Sequence, residues 1–355
     1  MATTQAVDPQ RVQAFAGKML GIYSGGVLSH LIDIGYRTGL FEAAAKGTAT
    51  SAGLAERAGL QERYVREWLG GMTTGGIFAY DPATQTYALP PEHAALLTGA
   101  TMRNLAPTSR MVTLLAGHVP GVADCFRHGG GVPYEAYRPE FTEVMDDTWR
   151  RIYDEQLVGG FLPYAPGLLE RLAAGIRAAD VGCGTGHAIN VLARAFPAST
   201  FVGYDLAADA IERARAEAQA MGLSNARFDV LDAAALPPRP PFDLIMTFDA
   251  IHDQADPQAV LRRIHDALAP DGTFYMLEFK FASDVAENIG NPFAPLYYGF
   301  STLHCMTVSL AVGGAGLGAV WGEEVARRLL AEAGFGDIRV VDTPRPQNYA
   351  FVCRK

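Results

Sequence analysis

The chain has 355 residues, of which 49% are hydrophobic and 19% are charged. Disordered chains combine low hydrophobicity with high charge, so this composition excludes them and fits a protein of about two folded domains. The formal net charge is −9, and binding to phosphates needs clustered Lys and Arg, so no nucleic-acid partner is expected.

The four cysteines lie far apart, at Cys125, Cys183, Cys305 and Cys353. No two of them have the spacing of a zinc-ligand or redox pair, which favours reduced thiols and a cytoplasmic location. The first eleven residues show no basic segment followed by an apolar core, so we predict no signal peptide. No run of about 18 apolar residues occurs, which predicts no membrane span and no membrane partner.

Residues 1–98 are predicted to form an α-helical winged-helix domain. Apolar residues at three- and four-residue spacing predict helix over 12–45, which Gly25-Gly26 is expected to divide into two. Further helices are predicted from Ser51 to Gly59 and from Gln61 to Thr74, and alternating residues then predict a two-stranded hairpin. A series of helices followed by a hairpin is typical of a winged helix.

Residues 99–170 are predicted to be a helical linker and lid, with one helix from Phe141 to Gly159. From 171 to 355 strands and helices alternate, which predicts a parallel sheet. The final two strands face each other across a short turn and predict an antiparallel C-terminal hairpin. The predicted strands are 176–181, 200–204, 226–230, 242–248, 273–279, 338–341 and 349–353.

A glycine-rich loop, Asp180-Val181-Gly182-Cys183-Gly184-Thr185-Gly186, joins the first of these strands to a helix. Its spacing is G-x-G-x-G, and His187 stands where a dinucleotide-binding loop has its third glycine. Asp205 ends the second strand, where a carboxylate can accept both hydroxyls of a ribose, and Asp232 follows the third, where it can accept an adenine amine. Alternatively, the glycines only permit a tight turn between strand and helix.

Together these features resemble the class I S-adenosylmethionine (SAM) methyltransferases over residues 176–355. The resemblance rests on the glycine loop, Tyr204-Asp205, Leu231-Asp232-Ala233 and Phe242-Asp243-Leu244-Ile245. It implies a Rossmann-like α/β fold with a seven-stranded sheet, SAM as cofactor and S-adenosylhomocysteine (SAH) as product. The residues that it assigns to the cofactor are Asp180, Gly182, Cys183, Gly184, Gly186, Asp205, Leu206, Asp232, Ala233, Phe248 and Asp249.

The whole chain also resembles bacterial small-molecule methyltransferases with an N-terminal winged helix, known from mycobacteria, and more distantly the plant-type O-methyltransferases. Residues 64–69 and 291–306 carry this likeness. It implies that residues 1–98 form a homodimer. A SAM-sensing transcriptional regulator is the alternative, but residues 1–98 hold seven basic and eight acidic residues and offer little attraction to phosphate.

His252-Asp253 follows the fourth strand at its carboxyl end, where open α/β sheets bind ligands. Histidine titrates near neutral pH, so we predict His252 as the catalytic base for a hydroxyl acceptor. The plant-type enzymes hold their base in a His-Asp pair at this place, but His252 could instead only shape the loop. Asp249, Asp253 and Asp256 are residue types that bind metal, but Asp256 before Pro257 fits a helix cap, so no metal is predicted.

The acceptor pocket is predicted from segments outside the sheet, with the insertion 280–321 above it. The candidate contacts are Tyr153, Gln156, Tyr298 and His304, and Glu278 could add a polar group at the end of the fifth strand. Their aromatic character favours a small, planar acceptor methylated at oxygen, although such aromatics also occur in ordinary cores. An N- or C-methyltransferase without a base remains the alternative.

Overall fold

The computed structural model describes residues 7–355. It divides into two compact units, one that ends at Thr113 and one that begins at Leu114. Residues 1–6, which belong to the segment predicted to lack a signal peptide, lie outside the described residues. The predicted domain limits at residues 98 and 170 stay predictions.

The first unit is a set of helices with a short antiparallel hairpin. The hairpin pairs Tyr80 with Tyr87, and it follows the third and fourth helices, as the winged-helix prediction requires. Its elements are α1 (Pro9–Arg37), α2 (Leu40–Ala44), α3 (Ser51–Ala58), α4 (Glu62–Thr74), β1 (Ala79–Asp81), β2 (Thr86–Ala88) and α5 (Pro91–Leu97). The next helix, α6 (Ala106–Ala116), spans the boundary between the units.

The predicted break at Gly25-Gly26 is wrong, because α1 runs unbroken through both glycines. A glycine inside a helix costs only about 1 kcal/mol relative to alanine, which packing can offset. The close packing of α1 lies further along the helix, where Trp68 Nε1 donates to the carbonyl oxygen of Leu31 at 2.7 Å. A Cβ atom at Gly71 of α4 would lie 2.6 Å from Leu31 Cδ1.

The second unit is built on a seven-stranded sheet with the order β5-β4-β3-β6-β7-β9-β8. The first five strands in this order are parallel and the last two pair antiparallel, which confirms the predicted fold class. Its strands are β3 (Arg177–Val181), β4 (Thr200–Asp205), β5 (Ala226–Val230), β6 (Phe242–Phe248), β7 (Leu268–Phe279), β8 (Asp337–Asp342) and β9 (Asn348–Arg354).

Helices cover both faces of this sheet, and the segment 280–321 is largely helical. The predicted helix 141–159 is an α-helix that continues as the π-helical segment Tyr153–Phe161. A second π-helical segment spans Ser301–Cys305. The α-helices are α7 (Val119–His128), α8 (Glu140–Ile152), α9 (Leu168–Ala174), α10 (His187–Ala195), α11 (Ala208–Ala220), α12 (Pro257–Ala267), α13 (Val285–Asn288), α14 (Ala294–Phe300), α15 (Met306–Ala311) and α16 (Gly322–Ala333).

The order of the parallel strands reverses between β3 and β6. Ligands of open α/β sheets bind at such a point, beyond the carboxyl ends of the strands. Apolar residues of the sheet such as Ile245 and Phe351 are fully buried against α12 and α16, so the sheet edge is a rigid base for a site. Across residues 7–355 we find no helix with both the length and the apolar character that a membrane span requires.

Candidate active site

A cavity of about 660 Å³ opens at the carboxyl ends of β4, β5 and β6 in the second unit. Its size falls within the range of small-molecule sites, which is roughly 300–1,000 Å³. The glycine loop, the residues after these three strands and one side of α8 form its walls. Nine of the predicted cofactor residues line it: Gly182, Cys183, Gly184, Asp205, Leu206, Asp232, Ala233, Phe248 and Asp249.

The glycine loop is fastened to β4 by backbone hydrogen bonds. The amides of Gly182 and Cys183 donate to the carbonyl oxygen of Tyr204 at 2.8 and 2.9 Å. Gly182, Gly184 and Gly186 have φ values of 80°, 53° and 70°, a left-handed conformation that favours glycine. These bonds hold the loop in place at the end of β4, with its backbone lining the cavity.

Asp205 and Asp232 are held by local backbone amides. Asp205 accepts from Ala207 through Oδ1 and from Gly184 through Oδ2, both at 2.8 Å. Asp232 Oδ1 accepts from Ala234 at 2.8 Å. A carboxylate has about four acceptor positions, so each side chain is oriented and keeps capacity for a ligand.

Asp180 and Asp249 are buried carboxyls at the same edge of the sheet. Within the described chain, Asp180 Oδ1 and Asp249 Oδ2 have no hydrogen-bond partner. Burial, followed by the charge of Asp205, raises the pKa of Asp180 to about 8. Burial, followed by the charge of Glu278, also raises the pKa of Asp249 well above its usual value. A bound cation such as a sulfonium would stabilise their charged forms, so these carboxyls fit the predicted cofactor.

Two of the predicted cofactor residues, Asp180 and Gly186, lie behind the cavity wall. A Cβ atom at Gly186 would lie 2.4 Å from Phe228 Cε1 and 2.6 Å from Ala214 Cβ. This glycine is therefore required by the packing of the loop against β5 and α11. A direct contact of either residue with the cofactor stays a prediction.

One wall of the cavity comes from α8, whose site residues the sequence did not indicate. Arg150 contacts Asp146 at 2.9 Å and donates to His187 Nδ1 at 2.7 Å, and it also pairs with Glu217 of α11. Thr185 of the glycine loop donates to Asp146. This network fastens α8 to the glycine loop.

His252 is buried between two carboxylates. Its Nδ1 atom lies 2.6 Å from Glu278 Oε2, and its Nε2 atom lies 3.3 Å from Asp253 Oδ1. Burial by itself would lower the pKa of His252, but the carboxylates of Glu278 and Asp253 outweigh it and hold this pKa well above the usual value. The two carboxylates therefore favour the imidazolium form of this side chain.

Asp253, and not His252, belongs to the cavity lining. The Asp253 side chain is 27% exposed, whereas that of His252 is 2% exposed. The His252, Asp253 and Cys305 ligand atoms lie within 4.8 Å of one another, which is a possible metal group by residue type. Asp256 caps α12 as predicted, since its Oδ1 accepts from Ala259 at 2.8 Å. The prediction of no metal stays a prediction.

Of the four candidate acceptor contacts, Tyr153 lines the cavity. Its ring centroid lies 5.2 Å from that of Phe248. His304 stacks on the cavity residue Phe141 at 3.7 Å, and burial lowers its pKa to about 4. Gln156 and Tyr298 lie outside the lining, and Tyr298 Oη accepts from Asn288 at 3.3 Å. The contacts of these residues with an acceptor stay predictions.

Two family models match the chain. Residues 26–99 match the Rv2258c-like winged HTH domain, and residues 172–333 match a methyltransferase domain. Aklanonic acid methyltransferase DauC of Streptomyces sp. strain C5 is 30% identical over 172 residues, which are 45% of this chain and 74% of that protein. Trans-aconitate 2-methyltransferase of Methylobacterium nodulans is 32% identical over 101 residues, which are 28% of this chain and 37% of that relative.

Solved structures share the fold over nearly the whole chain. Mitomycin 7-O-methyltransferase aligns with a TM-score of 0.70 at 18% identity, covering 98% of this chain and 99% of that one. Human N-acetylserotonin methyltransferase, solved with SAM, aligns with a TM-score of 0.68 at 19% identity, covering 100% and 99%. At these identities the likeness shows the fold alone.

A winged HTH domain followed by a class I methyltransferase sheet with its glycine loop defines the class of this protein. The chain belongs to the SAM-dependent methyltransferase family.

Proposed function

We propose that this protein transfers a methyl group from SAM to an oxygen atom of a small, planar and largely apolar acceptor. The observation that carries the proposal is one continuous cavity in which the glycine loop, Asp205 and Asp232 face an aromatic wall. That wall includes Phe141, Trp149 and Tyr153, and aromatic side chains favour planar partners. The names of aklanonic acid methyltransferase and mitomycin 7-O-methyltransferase describe the acceptors of those two proteins, and the second name places the methyl group on oxygen.

Bound SAM supplies an electrophilic methyl carbon, whose bond to sulfur breaks as its bond to the acceptor forms. The chain must align the acceptor and exclude water, which alone accelerates such a transfer substantially. A neutral hydroxyl must also lose its proton during the transfer. We assign this proton to the pair His252-Asp253, of which Asp253 lines the cavity.

A screen of phenols, hydroxyquinones and amines with SAM tests this function. We expect a mass gain of one methyl group in planar hydroxyl compounds, with the methyl placed on oxygen by NMR. Products methylated at nitrogen or carbon would replace the oxygen assignment. The Asp205→Ala variant is the control, because it should lower turnover at limiting SAM for every acceptor alike.

We also propose a homodimer formed through the N-terminal domain, in the cytoplasm. Supporting evidence is the exposure of large apolar side chains along α1, which include Val12, Phe15, Leu20, Ile22 and Tyr23. Exposed apolar surface of this kind favours association. The four cysteines, all free, suit a reducing compartment, and fractionation of producing cells tests the location.

The dimer is tested by light scattering at micromolar concentration. The double variant Phe15→Asp with Leu20→Asp should be monomeric, because it places two charges on the apolar surface of α1. Gln13→Asp adds a charge at an exposed polar position of the same helix and should stay dimeric. A monomeric parent protein would remove the proposal.

The arginines of α4 argue against a DNA-binding regulator. Arg63 lies 2.5 Å from Glu67 and Arg66 lies 3.5 Å from Glu62 on the same helix. Recognition of DNA begins with attraction between free cations and phosphates. We therefore expect no sequence-specific gel shift at physiological salt, and such a shift would restore the regulator.

A further inference from the structure

We propose that Asp253, rather than His252, takes the proton of the acceptor hydroxyl, and that His252 is a positioning residue that holds Asp253. This inference rests on the proposed function, since it concerns the proton that leaves when an oxygen is methylated. It differs from the sequence-based prediction, which gave this proton to the imidazole.

The first argument is access. A base must approach the proton that it takes to roughly hydrogen-bond distance. Asp253 lines the cavity, whereas His252 lies behind it with 2% of its side chain exposed. The Asp253 Oδ1 atom is buried without a hydrogen-bond partner in the described chain and lies 3.3 Å from His252 Nε2, so the exposed part of this carboxylate faces the cavity.

The second argument is that both nitrogen atoms of His252 lie beside carboxylates. Glu278 Oε2 lies 2.6 Å from Nδ1, and Glu278 is itself fully buried and accepts from the amide of Ile251 and from Trp321 Nε1. The Nδ1 atom is therefore occupied by Glu278, and the Nε2 atom, which lies 3.3 Å from Asp253 Oδ1, belongs to a side chain that does not line the cavity. The titratable groups around it are Glu278, Asp253, Asp249, Cys305 and His304.

The proposed step balances without another reagent. The O–H bond of the acceptor breaks and its proton joins the Asp253 carboxylate. The acceptor oxygen keeps the electron pair that forms its bond to the methyl carbon, and the pair of the broken carbon–sulfur bond stays on sulfur. One positive and one negative charge disappear together, and Asp253 returns its proton to water after product release.

Single-turnover rates with two bicyclic acceptors of different acidity test the assignment. The hydroxyl of 2-naphthol is neutral at neutral pH, whereas that of 2-hydroxy-1,4-naphthoquinone is already ionised. Asp253→Asn should slow methylation of 2-naphthol by roughly 10²–10⁴-fold and that of the quinone by about threefold or less. His252→Gln should also slow 2-naphthol more than the quinone, but by a smaller factor than Asp253→Asn, because it only loosens Asp253 and keeps its carboxylate. Calorimetry with SAH checks that each variant folds.

Two further readouts are the protonation state of His252 and the pH profile of the parent protein. In the complex with SAH at neutral pH, ¹⁵N NMR should show His252 protonated on both nitrogens, and the parent rate with 2-naphthol should be flat between about pH 6 and pH 8. A singly protonated His252, or an equal loss for both acceptors in Asp253→Asn, overturns this inference and leaves the methyltransfer itself standing. A parent that methylates neither hydroxyl defeats the proposed function and the inference together.

Discussion

The Nδ1 atom of His252 lies 2.6 Å from Oε2 of Glu278, and almost none of either side chain is exposed. This ion pair joins the loop after β6 to the end of β7. Removing one partner of a buried ion pair costs about 3–5 kcal/mol, because the other charge is left unpaired. We expect Glu278→Gln to lower the free energy of unfolding by several kcal/mol and to lower the pKa of His252.

The loss should depend on pH. The pKa of His252 is raised on folding, so the stabilisation is complete below the unfolded value of about 6.5 and is lost as pH rises through the folded value. Urea unfolding should therefore show a larger difference between variant and parent at about pH 6 than at about pH 10. Glu332→Gln, which removes an exposed partner of Arg328, should cost little at either pH. A larger difference at the high pH would contradict the assignment.

Asp205 provides a test of the cofactor end of the cavity. Asp205→Ala should weaken binding of SAM and SAH, because each hydrogen bond from a ribose hydroxyl to a carboxylate contributes about 1.5–3 kcal/mol. The loss of its bond to the Gly184 amide should add to this effect, since it frees the glycine loop. Calorimetry measures both affinities. Asp229→Ala, at the exposed ion pair with Arg227, is the control, and equal affinities in both variants would remove the ribose assignment.

The sheet and the cofactor end of the site could be predicted because both follow from local patterns. Alternating strands and helices define a parallel sheet, and the carboxyl ends of parallel strands share one edge. Asp205 and Asp232, which follow neighbouring strands, therefore had to meet at that edge, as the structure shows.

The other side of the site depends on contacts between distant segments. Arg150 of α8 meets Glu217 of α11 only in the folded chain, and no sequence periodicity predicts such a partner. The charge of His252 depends in the same way on Glu278, which is 26 residues further along the chain. The sequence placed Glu278 near the site but could not show that it raises the pKa of His252.

Asp180 predicts a pH dependence of cofactor binding. Burial and the charge of Asp205 raise its pKa to about 8, so in the free protein it is largely protonated at neutral pH. A cationic ligand favours the ionised carboxylate, so SAM binding should release a proton below that pH and tighten as pH rises toward about 9.

Calorimetry in buffers of different ionisation enthalpy measures this proton release. SAH has no sulfonium charge, so its affinity should change less with pH than that of SAM. Asp180→Asn should abolish the difference between the two ligands. A SAM affinity that is flat from about pH 6.5 to pH 9 would show that Asp180 does not respond to the bound cation.

Alanine substitutions at two glycines of the same loop should differ in their effects on protein stability and on cofactor binding. Gly184 lines the cavity, and a Cβ atom there would meet nothing within 4 Å of the protein, although its φ of 53° disfavours alanine. Gly184→Ala should therefore cost only about 1–2 kcal/mol of stability and should weaken SAM binding strongly, because the methyl group points into the ligand space.

Gly186, by contrast, lies behind the cavity wall. Its φ is 70°, and a Cβ atom there would lie 2.4 Å from Phe228 and 2.6 Å from Ala214. Gly186→Ala should cost about 3 kcal/mol or more, because strain and overpacking add. Its SAH affinity, measured in the remaining folded protein, should fall less than that of Gly184→Ala. Thermal unfolding and calorimetry on the two variants give all four values. A larger loss of stability in Gly184→Ala would contradict the packing at Gly186, and a larger loss of affinity in Gly186→Ala would mean that Gly186, and not Gly184, approaches the cofactor.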